Sequence, residues 1–280
     1  MSQPERFDYN YQQGRKGKEI EIHNAEMCAQ LEAELYESKC PVTILSSEHC
    51  GFLDASEIHK LSEYLRSLFD EIEILFFARH PAYHAASLAQ ESVKNGAIRL
   101  ADVSKNIKNF GVRERILRWQ SVFGMDAVRC LCYPGDPPNR GDVTEVFLDA
   151  IGWNKEVKLA SITANASISG AAILLADALT EIAPKRSRQR FAQKYLKSIK
   201  GPKLCFPQPF FERIMANSKE DLRYLEITWG ISFEPTPVEA DVTSTEYFTE
   251  EALHSLAALL NDLSRLVDEG VTGSKKTGKR

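Results

Sequence analysis

The stretch from Glu71 to Ser92, EIEILFFARHPAYHAASLAQES, joins an apolar run to a proline-started helical pattern. Ile72, Ile74, Leu75, Phe76 and Phe77 make a short apolar run rich in β-branched and aromatic residues, the pattern of a strand buried on both faces in a parallel sheet. Arg79 closes that strand. Pro81 has a fixed φ that suits the first turn of a helix, and Tyr83 to Ser92 continues with helical spacing. Arg79 is therefore expected at a strand's carboxyl end and Ser87 about two turns into the next helix, the region where open α/β sheets bind ligands. An arginine fork and a serine hydroxyl in that place suit a phosphate. A second reading stays open, in which Arg79 pairs with a neighbouring carboxylate.

On either side of this stretch the chain alternates strands and helices. Met27, Leu31 and Leu35 recur at helical spacing from about Asn24 to Ser38, and Pro41 opens an expected strand at Val42–Leu45 that ends in Ser46-Ser47-Glu48-His49. Asp54-Ala-Ser-Glu57 has the form of a capping box, and Ile58, Leu61, Leu65 and Leu68 mark the buried stripe of the helix behind it. Strand, helix and strand make a βαβ unit, which implies parallel pairing. Beyond Asn95-Gly96 a polar connector leads to a helix at about Val112–Phe123, with Ile116, Trp119 and Phe123 on one face and a stop at Gly124. Asp126–Tyr133 (DAVRCLCY) is a further expected strand, Pro134–Arg140 is turn-rich, and Asp142–Ile151 is a helix ended by Gly152. Three repeats of strand and helix give the doubly wound α/β class.

The second half carries no clear buried strand. Ser169–Ile182 is rich in alanine and leucine, Phe210–Asn217 and Glu220–Glu226 are short helical segments, and Lys185, Arg186, Arg188, Arg190, Lys194, Lys197 and Lys200 form a basic run. That run is read as a solvated face or as a contact for phosphates or an anionic glycan. Leu253, Leu256, Leu260, Leu263 and Val267 make an apolar seam on a final helix that Thr249 caps and Gly270 ends. Residues 1–23 are expected to be irregular, 24–270 to form the α/β domain with its mainly helical part from residue 165 or so, and 271–280 to be a disordered tail.

Composition narrows the function classes. A chain of 280 residues, 43% hydrophobic and 26% charged, with a net charge of -4, is ordinary for a globular protein, and its acidic balance argues against general nucleic-acid binding. No 18-residue apolar run or signal peptide is evident, so no membrane span is expected and the cytoplasm is the expected compartment. The six cysteines are scattered; they form neither a zinc signature nor a disulfide framework, and no metal is expected.

The RxP followed by Ser, from Arg79 to Ser87, resembles the 3′-phosphate-binding element of sulfotransferases that use 3′-phosphoadenosine 5′-phosphosulfate (PAPS). Bacterial members of that family show a stretch similar to Ile44-Leu45-Ser46-Ser47-Glu48, and the strand that carries it supplies the catalytic base near the acceptor site. The resemblance therefore implies Glu48 as first choice of base and His49 as second, taking the proton of an acceptor hydroxyl as the S–O bond forms. Softer matches follow in the same order: RWQSVFGMDAVRCLCYPG (Arg118–Gly135), EVFLDAIGW (Glu145–Trp153), Asn165-Ala-Ser-Ile-Ser, and RIMANSKEDLRYLEITWGISF (Arg213–Phe233). The resemblance covers residues 40 to 235 or so. It implies a parallel-sheet, P-loop NTPase-like core with a mainly helical C-terminal part, PAPS as donor held by Arg79 and Ser87, and a carbohydrate or small-molecule hydroxyl as acceptor.

One feature of the family has no counterpart. Its members hold the 5′-phosphosulfate in a glycine-rich loop after the first strand, where backbone N–H groups and a lysine cradle the anion. Gly14-Arg15-Lys16-Gly17-Lys18 has glycines and lysines, but no apolar strand precedes it and no small hydroxyl residues follow, so it reads as a solvated charge cluster. The core is accordingly expected to be N-terminally truncated. Losing such a loop removes several powers of ten in rate. The competing expectation is a catalytically inactive remnant that binds a nucleotide or a protein partner; a kinase-like enzyme of the same broad fold also needs the missing loop.

Overall fold

A computed structural model describes residues 14–38, 40–106, 111–136, 141–153, 168–182, 195–233 and 244–260. Among the described residues the structure is mostly helical with a two-stranded parallel sheet, which places it in the α/β class. It forms two compact units, one from residues 1–73 and 118–127, the other from 74–117 and 128–280.

In the first unit, helix α1 spans Lys18–Glu37 and helix α2 spans Ala55–Leu68. Helix α1 thus begins inside the segment expected to be irregular; of the three residues at helical spacing, Leu31 and Leu35 are half-buried and Met27 is exposed. The capping box of α2 is complete: Glu57 N donates to Asp54 Oδ1 at 2.9 Å and Asp54 N donates to Glu57 Oε2 at 2.9 Å. Ile58, Ser62 and Leu65 are buried along α2. The end of helix α4 (Val112–Phe123) joins this unit, where Trp119 stacks on Phe123 with centroids 5.5 Å apart and Arg66 lies over the Phe123 ring.

The expected strand at Val42–Leu45 is corrected here. Residues 42–47 are irregular, with Val42 60%, Ile44 49% and Leu45 53% exposed. A strand exists through its ladder, and this segment has no ladder partner among the described residues.

The second unit holds the sheet. Strand β1 (Ile74–Ala78) pairs in parallel with strand β2 (Val128–Cys132), from Ile74↔Val128 to Ala78↔Cys132. Between them run helix α3 (Pro81–Lys94), a 3₁₀ turn (Leu100–Lys105) and α4, so the parallel crossover is β1-α3-α4-β2 and not the earlier one predicted. β1 is also not buried on both faces: Ile74 to Phe77 are half-buried and only Ala78 is buried, because β2 is its sole described neighbour. Helix α5 (Val143–Ala150) follows, capped by Asp142, whose Oδ1 accepts from Thr144 N at 2.8 Å.

Helices α6 (Gly170–Ile182), α7 (Gln208–Asn217) and α8 (Lys219–Trp229) and a helix over 250–260, α9, complete this unit. Its core joins Ala82, Ala89 and Val93 of α3 to Ala171, Ala172, Ile173 and Ala176 of α6 and to Phe210, Phe211 and Ile214 of α7. Small residues on α3 and α6 let the two helices approach closely. Gly170 is part of the same logic: a Cβ there would lie 2.2 Å from Cδ1 of Tyr247, itself 2% exposed. Helix α4 begins on a carboxylate from α8, since Asp221 accepts from Gly111 N at 2.9 Å and Arg113 N at 2.8 Å.

Thr249 caps α9 as expected, its Oγ1 accepting from Ala252 N at 3.2 Å. Of the described seam residues Leu256 packs against the core as expected, but its neighbours one turn away on either side do not. Ala252 (0%) and Leu259 (7%) are buried, while Leu253 (54%) and Leu260 (66%) face outward, because the core wall meets the helix one residue earlier than the leucine spacing suggests. Leu263, Val267, Gly270, the tail 271–280, Asn165 to Ser167 and basic residues Lys185 to Lys194 lie outside the described residues. The register is open to test: Leu259→Ala should cost about 2 to 4 kcal/mol in urea denaturation and Leu260→Ala under about 0.5 kcal/mol.

Candidate functional site

The carboxyl ends of β1 and β2 emerge side by side. Tyr133 N donates to Ala78 O at 2.8 Å, which extends the ladder by one bond beyond the strands and brings the turn Tyr133-Pro134-Gly135-Asp136 up against Arg79. Arg79 Nε lies 2.8 Å from Asp136 Oδ1 and 3.1 Å from Oδ2, and Nη2 lies 2.8 Å from Oδ1. Both nitrogens converge on Oδ1, and Nε is shared with Oδ2. The guanidinium also sits 5.3 Å from the Tyr133 ring centroid, in cation–π range. Gly135 makes that possible, since a Cβ there would lie 2.6 Å from Cε1 of the Tyr133 ring.

Asp136 is 7% exposed and Arg79 31%. Burial pushes the Asp136 carboxyl above its ordinary value, and the Arg79 charge, the Arg79 hydrogen bond and the backbone N–H of His80 oppose that push. The neighbouring Cys132 thiol is raised by burial and then by the Asp136 charge. Cys130, on the same face of β2 and buried, is pushed up to about 12 by burial, so both thiols stay protonated near neutral pH.

His80, 3% exposed, caps α3: its Nδ1 accepts from Ala82 N at 3.2 Å, with Pro81 in the first turn. Its ring packs on Tyr83 at 4.9 Å and edge-on to Phe233 at 5.4 Å. Further along α3, His84 is pushed down to about 4, first by burial and then by the charges of Arg115 and Arg79. It is neutral at pH 7. Ser87 is exposed on the same helix, about 9 Å along its axis from Pro81.

The structure therefore puts Arg79 and Ser87 on one strand-to-helix element, as the sequence predicts. It also gives Arg79 the carboxylate partner that the second reading required. Glu48 and His49 lie in the other compact unit, both exposed, in a 3₁₀ turn (Glu48–Phe52) whose start Ser47 caps by accepting from His49 N at 3.2 Å. They end no strand, because the strand expected before them is irregular. Of Gly14 to Lys18, all but half-buried Arg15 are exposed.

Asp136, Tyr133 and His80 are the residues that sequence reasoning missed. The Tyr-Pro-Gly-Asp turn was visible as turn-rich, but its meeting with Arg79 follows from strand pairing and not from any local signal. Two shallow hollows of about 350 Å³ contain none of the four predicted site residues; one is lined by Met27, Cys28, Gln30, Leu31 and Glu34, the other by residues from Gly96 to Asn106 and Thr180. Among the described residues no three His, Cys, Asp or Glu side chains gather as a metal site, and no described helix is long and apolar enough to cross a membrane. No protein-family model, curated protein or solved structure matches the chain.

Two outcomes follow from this geometry. Arg79→Ala strands a nine-tenths buried carboxylate and should cost about 3 kcal/mol, whereas Asp136→Ala leaves a partly exposed arginine and should cost clearly less; chemical denaturation at pH 7 compares them. Between pH 6.5 and about 4 unfolded His84 binds a proton that the folded chain refuses, so this contribution is complete above pH 6.5 and is lost as pH falls toward 4. On acidification from pH 7 to 4.5 the wild type should lose about 2 kcal/mol more than His84→Gln.

Proposed function

We propose that this chain is a sulfotransferase-like protein that binds the 3′-phosphate of a PAPS-type nucleotide at the junction of β1 and α3. One observation carries the reading. Arg79 leaves the end of a parallel strand directly before a proline-started helix, remains 31% exposed, and shares that element with the exposed hydroxyl of Ser87. A guanidinium, a helix amino end and a hydroxyl are the groups that bind a terminal phosphate. In the finer reading β1 and β2 belong to a P-loop NTPase-like sheet and the protein acts in the cytoplasm.

PAPS supplies the sulfuryl group in such a transfer. The chain's own part is to hold the 3′-phosphate through Arg79 and Ser87, while the proton of a carbohydrate or small-molecule hydroxyl passes to a general base. The acceptor oxygen bonds to sulfur as the bond from sulfur to the bridging phosphate oxygen breaks. The 280 residues contain no glycine-rich loop to steady that leaving phosphate, so turnover on this reading is slow.

A second reading has its own observation. The charged pair of Arg79 with buried Asp136 engages the arginine internally, which suits a remnant that has kept the strand end as structure and binds a nucleotide or protein partner without catalysis. Calorimetry with 3′-phosphoadenosine 5′-phosphate tests the phosphate site, and sulfuryl transfer from PAPS to an acceptor hydroxyl separates the enzyme from a remnant that only binds. The sulfotransferase-like reading expects saturable binding that Ser87→Ala weakens about 3- to 10-fold and Arg79→Lys, which loses the fork but keeps the charge, weakens at least as much. Absence of binding at millimolar ligand by a folded chain overturns it.

A further inference from the structure

We propose that Asp136 is an internal anion that competes with the phosphate for Arg79 and thereby sets the affinity of the site; this rests on the reading of Arg79 as the phosphate-binding residue. The carboxylate takes Nε and Nη2 of Arg79 at 2.8 to 3.1 Å and also meets the backbone N–H of His80, the residue that begins α3. Those are the donors a phosphate at this junction would use. One fork edge cannot serve two anions at once.

The competitor is built in. Its turn is fastened to the strand end that carries Arg79 through Tyr133 N to Ala78 O at 2.8 Å, and Gly141 N to Pro134 O at 2.7 Å closes it. Tyr133 folds back over Gly135, where any side chain would collide with its ring, and lies in cation–π range of the guanidinium. Tethered in this way, the carboxylate acts at a high effective concentration. A phosphate either displaces it or binds the remaining edge of Arg79 against its charge. Both routes weaken binding, and both are relieved when the charge is removed.

The probe is 3′-phosphoadenosine 5′-phosphate, with inorganic phosphate as a second ligand, titrated into the full chain. Asp136→Asn keeps an acceptor oxygen for Arg79 but removes the charge, and Asp136→Ser removes both; the two guard against one variant failing to fold, which thermal unfolding reports. Either folded variant should bind at least tenfold tighter than wild type, and the double variant Arg79→Gln/Asp136→Asn should lose that gain. Equal affinity for wild type and the Asp136 variants overturns the competitor and leaves the phosphate site standing. A gain that survives in the double variant also overturns it, since the gain then acts elsewhere than at Arg79. No binding by wild type or by either single variant removes the phosphate site, and the competitor with it.

Discussion

Parallel pairing of β1 with β2 is the constraint from which the candidate site follows. Five residue pairs hold the two strands in the same direction, so both carboxyl ends open on one edge of the sheet. Arg79 leaves one end and Tyr133 leaves the other, and the turn after Tyr133 carries Asp136 back to the arginine across a separation of 57 residues. Antiparallel pairing would put these groups at opposite edges. Parallel direction also demands a long connection, which the chain supplies as α3, a 3₁₀ turn and α4.

Both helices of that connection start on polar groups. His80 caps α3 with a ring nitrogen while its backbone N–H meets Asp136, so the helix start and the arginine pair are mechanically one element. Asp221 of α8 caps α4 from outside its own sequence. Between them, α3 lays Ala82 and Ala89 against the alanines of α6, a contact without long side chains and therefore with little room to shift. The exposed face of α3, with Ser87, is what this packing leaves to solvent.

Electrostatically, Arg79 is committed to a carboxylate of its own chain. A carboxylate and a phosphate offer the same pair of oxygens to a guanidinium, and the folded chain supplies the first within its own turn. Burial of Asp136 makes the pair matter for stability, because removing the arginine leaves a charge with poor access to water. Partial exposure of Arg79 keeps the same residue within reach of a ligand. On the proposed phosphate reading, binding and folding meet in this one side chain.

By itself the sequence determined the features that local chemistry dictates. The apolar run ending at Ala78, the proline-started helix after it, the Asp54 to Glu57 box, helix α4 at Val112–Phe123 and the Thr249 cap all stand where the residues put them, because caps, proline and short-range periodicity act over a few residues. Only the tertiary structure decided the rest. Val42 to Leu45 has strand composition but no ladder, Leu253 and Leu260 have core composition but face outward, and Arg79 meets Asp136 through the register of two strands. The physical reason is common to all three: a hydrogen-bond ladder, a buried face and a long-range ion pair each need a second surface, and no window of sequence contains its partner.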